Sequence, residues 1–310
     1  MAAAAKKSLM GKVSGLFGGT QSKPKPKPRK KLTTEELSKH MPDPDAGKIW
    51  PAKRLNVVEK LWGEGYVTPG GAEQVIKMLP LLELDSKKSA LVLGTGLGGI
   101  NETIVDQTAT WITSLECDPE LAEISGNAMR QAGLKKQAPV HHSTMEEMKL
   151  KPKSFDRILS FEGTLAVVDK KAMFVALCDS LRVDGELMYT TLVLPDTNPP
   201  NPAVQAWIDS EPPGATPQLW PAQVQIALLQ NLNMDVRPVQ DITQEYKKWV
   251  ISGFIRFIGS LSKAEMLKIS GELISELEYW TKRVTAIDSG GLKVCRFHAI
   301  RMADKRRRVV

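Results

Sequence analysis

The chain has 310 residues, of which 42% are hydrophobic and 25% charged, and a formal net charge of +7. That is enough for one large or two small domains with a real core, while no apolar run approaches the ~20 residues of a membrane-spanning helix and no secretory leader pattern opens the chain, so it reads as soluble. Three cysteines without CxxC spacing (Cys117, Cys178, Cys295) and four histidines, of which only His141 and His142 adjoin, argue against a disulfide scaffold and against a metal site.

The positive charge is concentrated at the ends. Residues 1–32 hold nine lysines and arginines and no acid, residues 305–308 are Lys-Arg-Arg-Arg, and the body between them is mildly acidic. Residues 1–45 are expected to form a disordered basic tail, because the alternation in "KPKPKPRKK" can neither build a helix nor bury a core. Leu9, Met10, Val13, Leu16 and Phe17 fall at helical spacing. They offer a short amphipathic helix for an anionic membrane as an alternative to a plain tail, and an organellar transit segment is a third reading. Residues 305–310 make a second basic tail. Either tail can meet an anionic membrane surface or nucleic acid.

Order is expected from 46 to 304. "LNVVEKLWGEGYVTPGGAEQVIKMLPLL" reads as two helices around a Gly/Pro turn. Strand and helix then alternate: "SALVLG", "GINETIVDQT", "TWITSLEC", "PELAEISGNAMRQAG", "APVHHST", "FDRILSF", "DKKAMFVALCDSL" and "GELMYTTLVL". Strands separated by helices of this length predict an α/β fold with a mostly parallel sheet covered on both faces. Residues 195–218 are proline-rich and read as one long loop. A helix over "PAQVQIALLQNL", a strand in "MDVRPVQ", two apolar helices over 243–286 and a final strand "LKVCRFHAIRM" complete the domain. Trp249, Phe254, Phe257, Leu273, Leu277 and Trp280 in the helical insert are read as core.

The first strand runs into Gly94-Thr95-Gly96-Leu97-Gly98-Gly99, a loose GxGxxG turn that opens a helix. Such a loop lets a ligand approach the backbone closely. Glu116 ends the second strand 22 residues after Gly94, where a carboxylate can accept both hydroxyls of a ribose. "HHSTMEE" ends the third strand, beside the place for a nucleobase. Asp118 and Glu120 are suited to the N-terminus of the next helix.

In this order, followed by "SFDRILSFEGTLAVVDKKAMFVALCDSLRVDGELMYTTLV", these segments resemble the class I S-adenosylmethionine-dependent methyltransferases. The resemblance runs from about Trp50 to Met302. "LWGEGYVTPGG" resembles the lid of the small-molecule members, including the phosphoethanolamine N-methyltransferase and ubiquinone/menaquinone C-methyltransferase groups. It implies a Rossmann-like sheet with an antiparallel last strand, a lid over 50–72 and a helical insert over about 243–286. "LRVDGEL" resembles the family's turn before its fifth strand, with Gly185 in a left-handed position. The implied cofactor is S-adenosylmethionine, held by Tyr66, Thr68, Gly94, Thr95, Gly96, Gly98, Glu116, Cys117, Ser143, Thr144, Met145 and Phe161. Tyr66 and Glu162 are the candidate catalytic groups. Two positions depart from the family. Val92 stands where an acid usually helps hold the cofactor's amino-acid end, leaving that role to Glu162 or a backbone carbonyl. Ala166 stands where the phosphoethanolamine enzymes have a histidine, so that substrate is not carried over.

The expected function is direct SN2 transfer of a methyl group to a small-molecule or lipid-like acceptor, in a cytoplasmic protein that can be peripheral at a membrane. Two alternatives remain. One is an inactive scaffold that keeps the fold. The other is a nucleic-acid methyltransferase that uses the basic tails, against which "SFEG" lacks the compact Pro-Pro-Tyr motif of base-modifying enzymes.

Overall fold

The computed structural model describes residues 47–144, 147–212 and 214–303. Both basic tails, with the amphipathic segment proposed in the first, lie outside the described residues. Helices α1 (Ala52–Trp62) and α2 (Gly71–Met78) precede the sheet. Then come β1 (Ser89–Leu93), α3 (Gly99–Thr108), β2 (Trp111–Glu116), α4 (Pro119–Gln131), β3 (Val140–His142), β4 (Phe155–Phe161), α5 (Lys170–Ser180) and β5 (Leu181–Val193). The chain closes with α6 (Pro202–Ile208), α7 (Ala222–Asn231), β6 (Met234–Val236), β7 (Gln240–Asp241), α8 (Thr243–Ser260), α9 (Lys263–Lys268), α10 (Ser270–Asp288) and β8 (Lys293–Arg301).

The strands make one sheet in the order β3-β2-β1-β4-β5-β8-β6, with β7 also on β8. Neighbours from β3 to β5 are parallel, and β8 runs antiparallel to both β5 and β6. This is the Rossmann-like arrangement expected from the sequence. Strand β1 shows why the sheet is covered on both faces. Its side chains alternate, so Ala90 and Val92 enter one core with Ile100 and Ile104, while Leu91 and Leu93 enter the other with Phe174 and Leu177. The order reverses between β1 and β4, and the crevice outside the carboxyl ends of the strands at such a switch point is where open α/β sheets take ligands.

Three local expectations are corrected. Residues 195–218 are not one loop: Asn201 caps α6 by accepting from the Ala203 and Val204 N–H groups, and Pro202 occupies the first turn. The prolines that suggested a loop fit a helix start, where a missing N–H costs nothing, and Trp207 on this helix is fully buried. The segment 243–286 forms three helices rather than two. The break falls at Ser262, whose capping box with Glu265 starts α9. The left-handed residue before the long part of β5 is Asp184 (φ 62°) rather than Gly185. Glycine is needed at 185 for a different reason: a Cβ there would lie 2.8 Å from the Arg182 carbonyl oxygen.

Two contacts position the site-forming segments. The turn after α1 rests on the start of α3, where the Gly99 N–H donates to the Gly65 carbonyl (3.0 Å). A Cβ at Gly99 would come within 2.7 Å of the Tyr66 ring and 3.0 Å of the Gly65 carbonyl. Lys170, at the start of α5, is buried and donates its ammonium to the Thr164 and Leu165 carbonyls. This ties down the loop that follows β4. Burial lowers the Lys170 pKa from 10.5 to about 8.

Gly99→Ala should lower stability by about 1–2 kcal/mol, since overpacking against backbone exceeds the gain in helix propensity. A lower urea midpoint at unchanged slope would show it. For Lys170, the unfolded chain binds more protons than the folded one between about pH 8 and 10.5, so this group's contribution to stability rises with pH across that window. The stability of the native protein relative to Lys170→Met should therefore climb from pH 8 to 10.5, and a pH-independent difference in denaturation midpoints would contradict the assignment.

Candidate active site

A cavity of about 390 Å³ opens at the carboxyl ends of β1, β2 and β4. On one side it is lined by Thr68, Gly94, Gly96, Glu116, Cys117 and Phe161, all among the residues expected from the sequence. Glu116 is 6% exposed. Its Oε2 accepts from the Gly96 N–H (3.1 Å) and its Oε1 from the Asp118 N–H (3.2 Å). Each oxygen keeps acceptor capacity, so the carboxylate can receive a vicinal diol. Burial raises its pKa, and the backbone N–H groups act in the opposite direction. Asp118 caps α4 by accepting from the Glu120 and Leu121 N–H groups, as its position suggested.

The glycine loop approaches its neighbours as closely as backbone allows. Gly94 (φ 73°) would place a Cβ 2.9 Å from the Cα of Gly163. Only glycine fits there, and the contact holds the loop after β1 against the loop after β4.

Other expected residues lie around the cavity rather than in its wall. The Tyr66 hydroxyl donates to the Gly99 carbonyl (2.8 Å) and pairs with the Thr103 hydroxyl. Tyr66 thus anchors the turn between α1 and α2 to α3 instead of facing the space. Burial raises its pKa. Thr95 is fully buried and donates to the Ser125 hydroxyl (3.0 Å). Gly98 (φ 110°) is the residue before α3. Ser143 follows β3 and donates its N–H to the Glu116 carbonyl (3.1 Å), while its hydroxyl bonds the Thr144 carbonyl. Met145 lies outside the described residues. Among the described residues no group of three or more His, Cys, Asp or Glu is arranged to hold a metal ion.

The segments 195–218 and 243–286, expected to shape an acceptor pocket, do supply most of the opposite wall, although Arg54, Glu211, Glu276, Tyr279 and Arg283 were not singled out in the sequence. That wall comes from α1, α10 and the segment after α6: Trp50, Arg54, Trp62, Glu211, Glu276, Tyr279, Trp280 and Arg283 line it together with Glu162. At its centre Arg283, whose side chain is 7% exposed, donates to Glu162 Oε2 (2.9 Å), the Tyr246 hydroxyl (2.9 Å), the Tyr279 hydroxyl (2.5 Å) and Glu211 Oε1 (3.4 Å). Its guanidinium also lies 4.7 Å from the centroid of the Trp280 ring. Burial works against this charge, but the surrounding phenols and carboxylates outweigh it and hold Arg283 protonated. Beside it Arg54 donates to Glu276 Oε1 (2.5 Å) and stacks on Trp50. The aromatic residues expected to be core are buried, and Trp280 among them also faces the cavity. No short-range signal marked Arg283 or Glu211, because they meet Glu162 only when the insert folds back over the sheet.

No family model matches the chain. Phosphoethanolamine N-methyltransferase 3 of Arabidopsis thaliana is 24% identical over 132 residues, covering 43% of this chain and 26% of that protein. Among solved structures, Haemonchus contortus phosphoethanolamine N-methyltransferase 2, bound to phosphomonomethylethanolamine and S-adenosylhomocysteine, superposes with a TM-score of 0.71. It is 13% identical over 84% of this chain and 60% of its own. Geranyl diphosphate C-methyltransferase from Streptomyces coelicolor A3(2), bound to Mg2+, geranyl diphosphate and S-adenosyl-L-homocysteine, gives 0.57 at 13% identity over 74% of this chain and 77% of its own. The chain thus spans about a quarter of the curated relative and three fifths of the Haemonchus structure. With its sheet order and antiparallel β8, these likenesses show that the chain has the fold of the class I S-adenosylmethionine-dependent methyltransferases.

Proposed function

We propose that this protein transfers a methyl group from S-adenosylmethionine to a small-molecule acceptor, within a single domain over 46–304. The observation that carries the reading is Glu116: a desolvated carboxylate at the end of β2, held by the N–H of a glycine in the adjacent loop, with acceptor capacity toward the cavity. The ribose would rest on Glu116 and the rest of the donor would follow the glycine loop toward β4. The donor carries no phosphate, which agrees with a loop that has close backbone approach and no cation among its glycines. Thr68 and Phe161 would complete this side.

The donor supplies a sulfonium-activated methyl group. A lone pair on the acceptor forms the new bond to the methyl carbon while the carbon–sulfur bond breaks, and its electrons return to sulfur, leaving S-adenosylhomocysteine. The protein's part is to line up the two and keep water out. Trp62, Leu165 and Trp280 supply apolar walls on the acceptor side. A cavity of about 390 Å³ suits a small acceptor. A second cavity of about 580 Å³ shares Ile49, Arg54, Pro212, Glu276 and Tyr279 with the first, so an elongated or lipid-like acceptor would extend into it. Among the described residues no helix is long and apolar enough to cross a membrane. The cation-rich tails would be the parts that meet an anionic surface.

Calorimetric titration tests the reading. S-adenosylmethionine and S-adenosylhomocysteine should both bind in the micromolar range, and Glu116→Ala should weaken each by roughly tenfold or more, as expected for a lost charge-assisted hydrogen-bonded pair. Absence of binding by either compound would refute the enzyme reading and favour a scaffold that has kept only the fold.

A further inference from the structure

We infer that Glu162 is the donor's second anchor: its Oε1 accepts the α-ammonium of the bound S-adenosylmethionine. The inference rests on the donor reading above and adds the residue that fixes the amino-acid end.

Four observations converge on Glu162. First, its side chain is 8% exposed and lines the cavity, yet Oε1 has no hydrogen-bond partner. A buried, unpaired carboxylate oxygen is costly, of the order of 1–3 kcal/mol, and so points to a ligand that completes it. Second, the backbone of Glu162 is left-handed, with φ 61°. A non-glycine residue in that region is strained, and such strain concentrates where a side chain must be aimed. Its N–H bonds the Thr190 carbonyl (3.0 Å) and its carbonyl accepts from the Leu165 N–H (2.9 Å), so the conformation is held from both sides.

Third, Glu162 stands at the correct end of the ligand path. Strands β2, β1 and β4 are consecutive neighbours in the sheet, and neighbouring strands lie about 4.8 Å apart. Glu116 closes β2, and Glu162 directly follows β4 across the glycine loop, roughly two strand spacings or about 10 Å away. A nucleoside resting its ribose on Glu116 and running along the loop brings its amino-acid arm to Glu162. The next residue, Gly163, is the one packed against Gly94. Fourth, within the cavity no other carboxylate serves that end. Glu211 accepts from Tyr279 (2.8 Å) and Arg283, Glu276 is taken by Arg54 and the Trp280 indole N–H, Asp118 follows β2 and caps α4, and Glu116 lies at the ribose end. Val92 on β1 is fully buried in the core.

Arg283 completes the arrangement. It holds Oε2 at 2.9 Å and so leaves Oε1 as the free acceptor. The two oxygens of one carboxylate then divide their work, one fixed by the protein and the other reserved for the ligand's cation.

The test compares three ligands on the full-length protein by calorimetry: S-adenosylhomocysteine, its analogue with hydrogen in place of the α-amino group, and 5′-methylthioadenosine, which lacks the amino-acid arm. In the native protein, removing the amino group should weaken binding roughly tenfold or more. In Glu162→Gln, S-adenosylhomocysteine should weaken by a similar factor, the desamino analogue should no longer differ from it, and 5′-methylthioadenosine should bind as it does to the native protein. Unchanged affinity of Glu162→Gln for S-adenosylhomocysteine would overturn the assignment. So would an equal loss for all three ligands, which would mark a general disturbance of the site. If the native protein binds 5′-methylthioadenosine and S-adenosylhomocysteine but ignores the amino group, the donor reading stands and only the Glu162 anchor fails. If it binds none of the three, both fail.

Discussion

A single buried guanidinium holds the site-forming parts of this molecule in register. Arg283 extends from α10 to the end of β4 through Glu162, to the segment after α6 through Glu211, and to α8 through Tyr246. Taking such a charge out of water is expensive, and the expense is met only because nearly every direction around it is filled by a carboxylate, a phenol or an aromatic face. The same arrangement makes the cluster intolerant of partial loss. Removing Arg283 would leave Glu162 and Glu211 buried without their cation. The insert must therefore dock in one way on the sheet. The cavity wall opposite the glycine loop inherits its shape from that docking.

The glycine loop meets the opposite requirement. Where Arg283 fixes distance through charge, Gly94 and Gly99 fix it through the absence of a side chain. Backbone approaches backbone at Gly94 with Gly163 and at Gly65 with Gly99. These contacts join the loops after β1 and β4 and seat the turn between α1 and α2 on α3. The hydroxyl of Tyr66 is spent on the same seam. This explains how a residue expected at a ligand ends up supporting the segment that carries Thr68 to the cavity. Lys170 plays a similar part from below, pinning the carbonyls of the loop that carries Leu165 and Ala166 to the cavity.

An α/β sheet with covered faces and a final strand were legible because they follow from local patterns: short apolar runs, helices of regular length between them, and turn residues. The antiparallel direction of that last strand came only from the family resemblance. Misreadings came where one residue type has two uses. Proline stops a helix in most positions but suits its first turn, so α6 was hidden among prolines. Serine and glutamate three apart form a capping box, so Ser262 starts a short third helix where two were expected.

The glycine-loop side of the cavity was equally legible, because Gly94, Gly96, Glu116 and Phe161 sit at or just after strand ends, where an open parallel sheet forms its crevice. By itself, then, the sequence determined the fold class, the edge of the sheet at which the cavity opens and several of the residues that line it there. The tertiary structure alone decided that Tyr66 turns to Gly99, that Glu162 pairs through one oxygen only, and that Arg54, Glu211, Glu276 and Arg283 form the facing wall. The physical reason is separation along the chain: Glu162 and Arg283 are 121 residues apart. No periodicity or spacing encodes a contact over that distance; it exists only once helix packing has selected one way for the insert to return to the sheet.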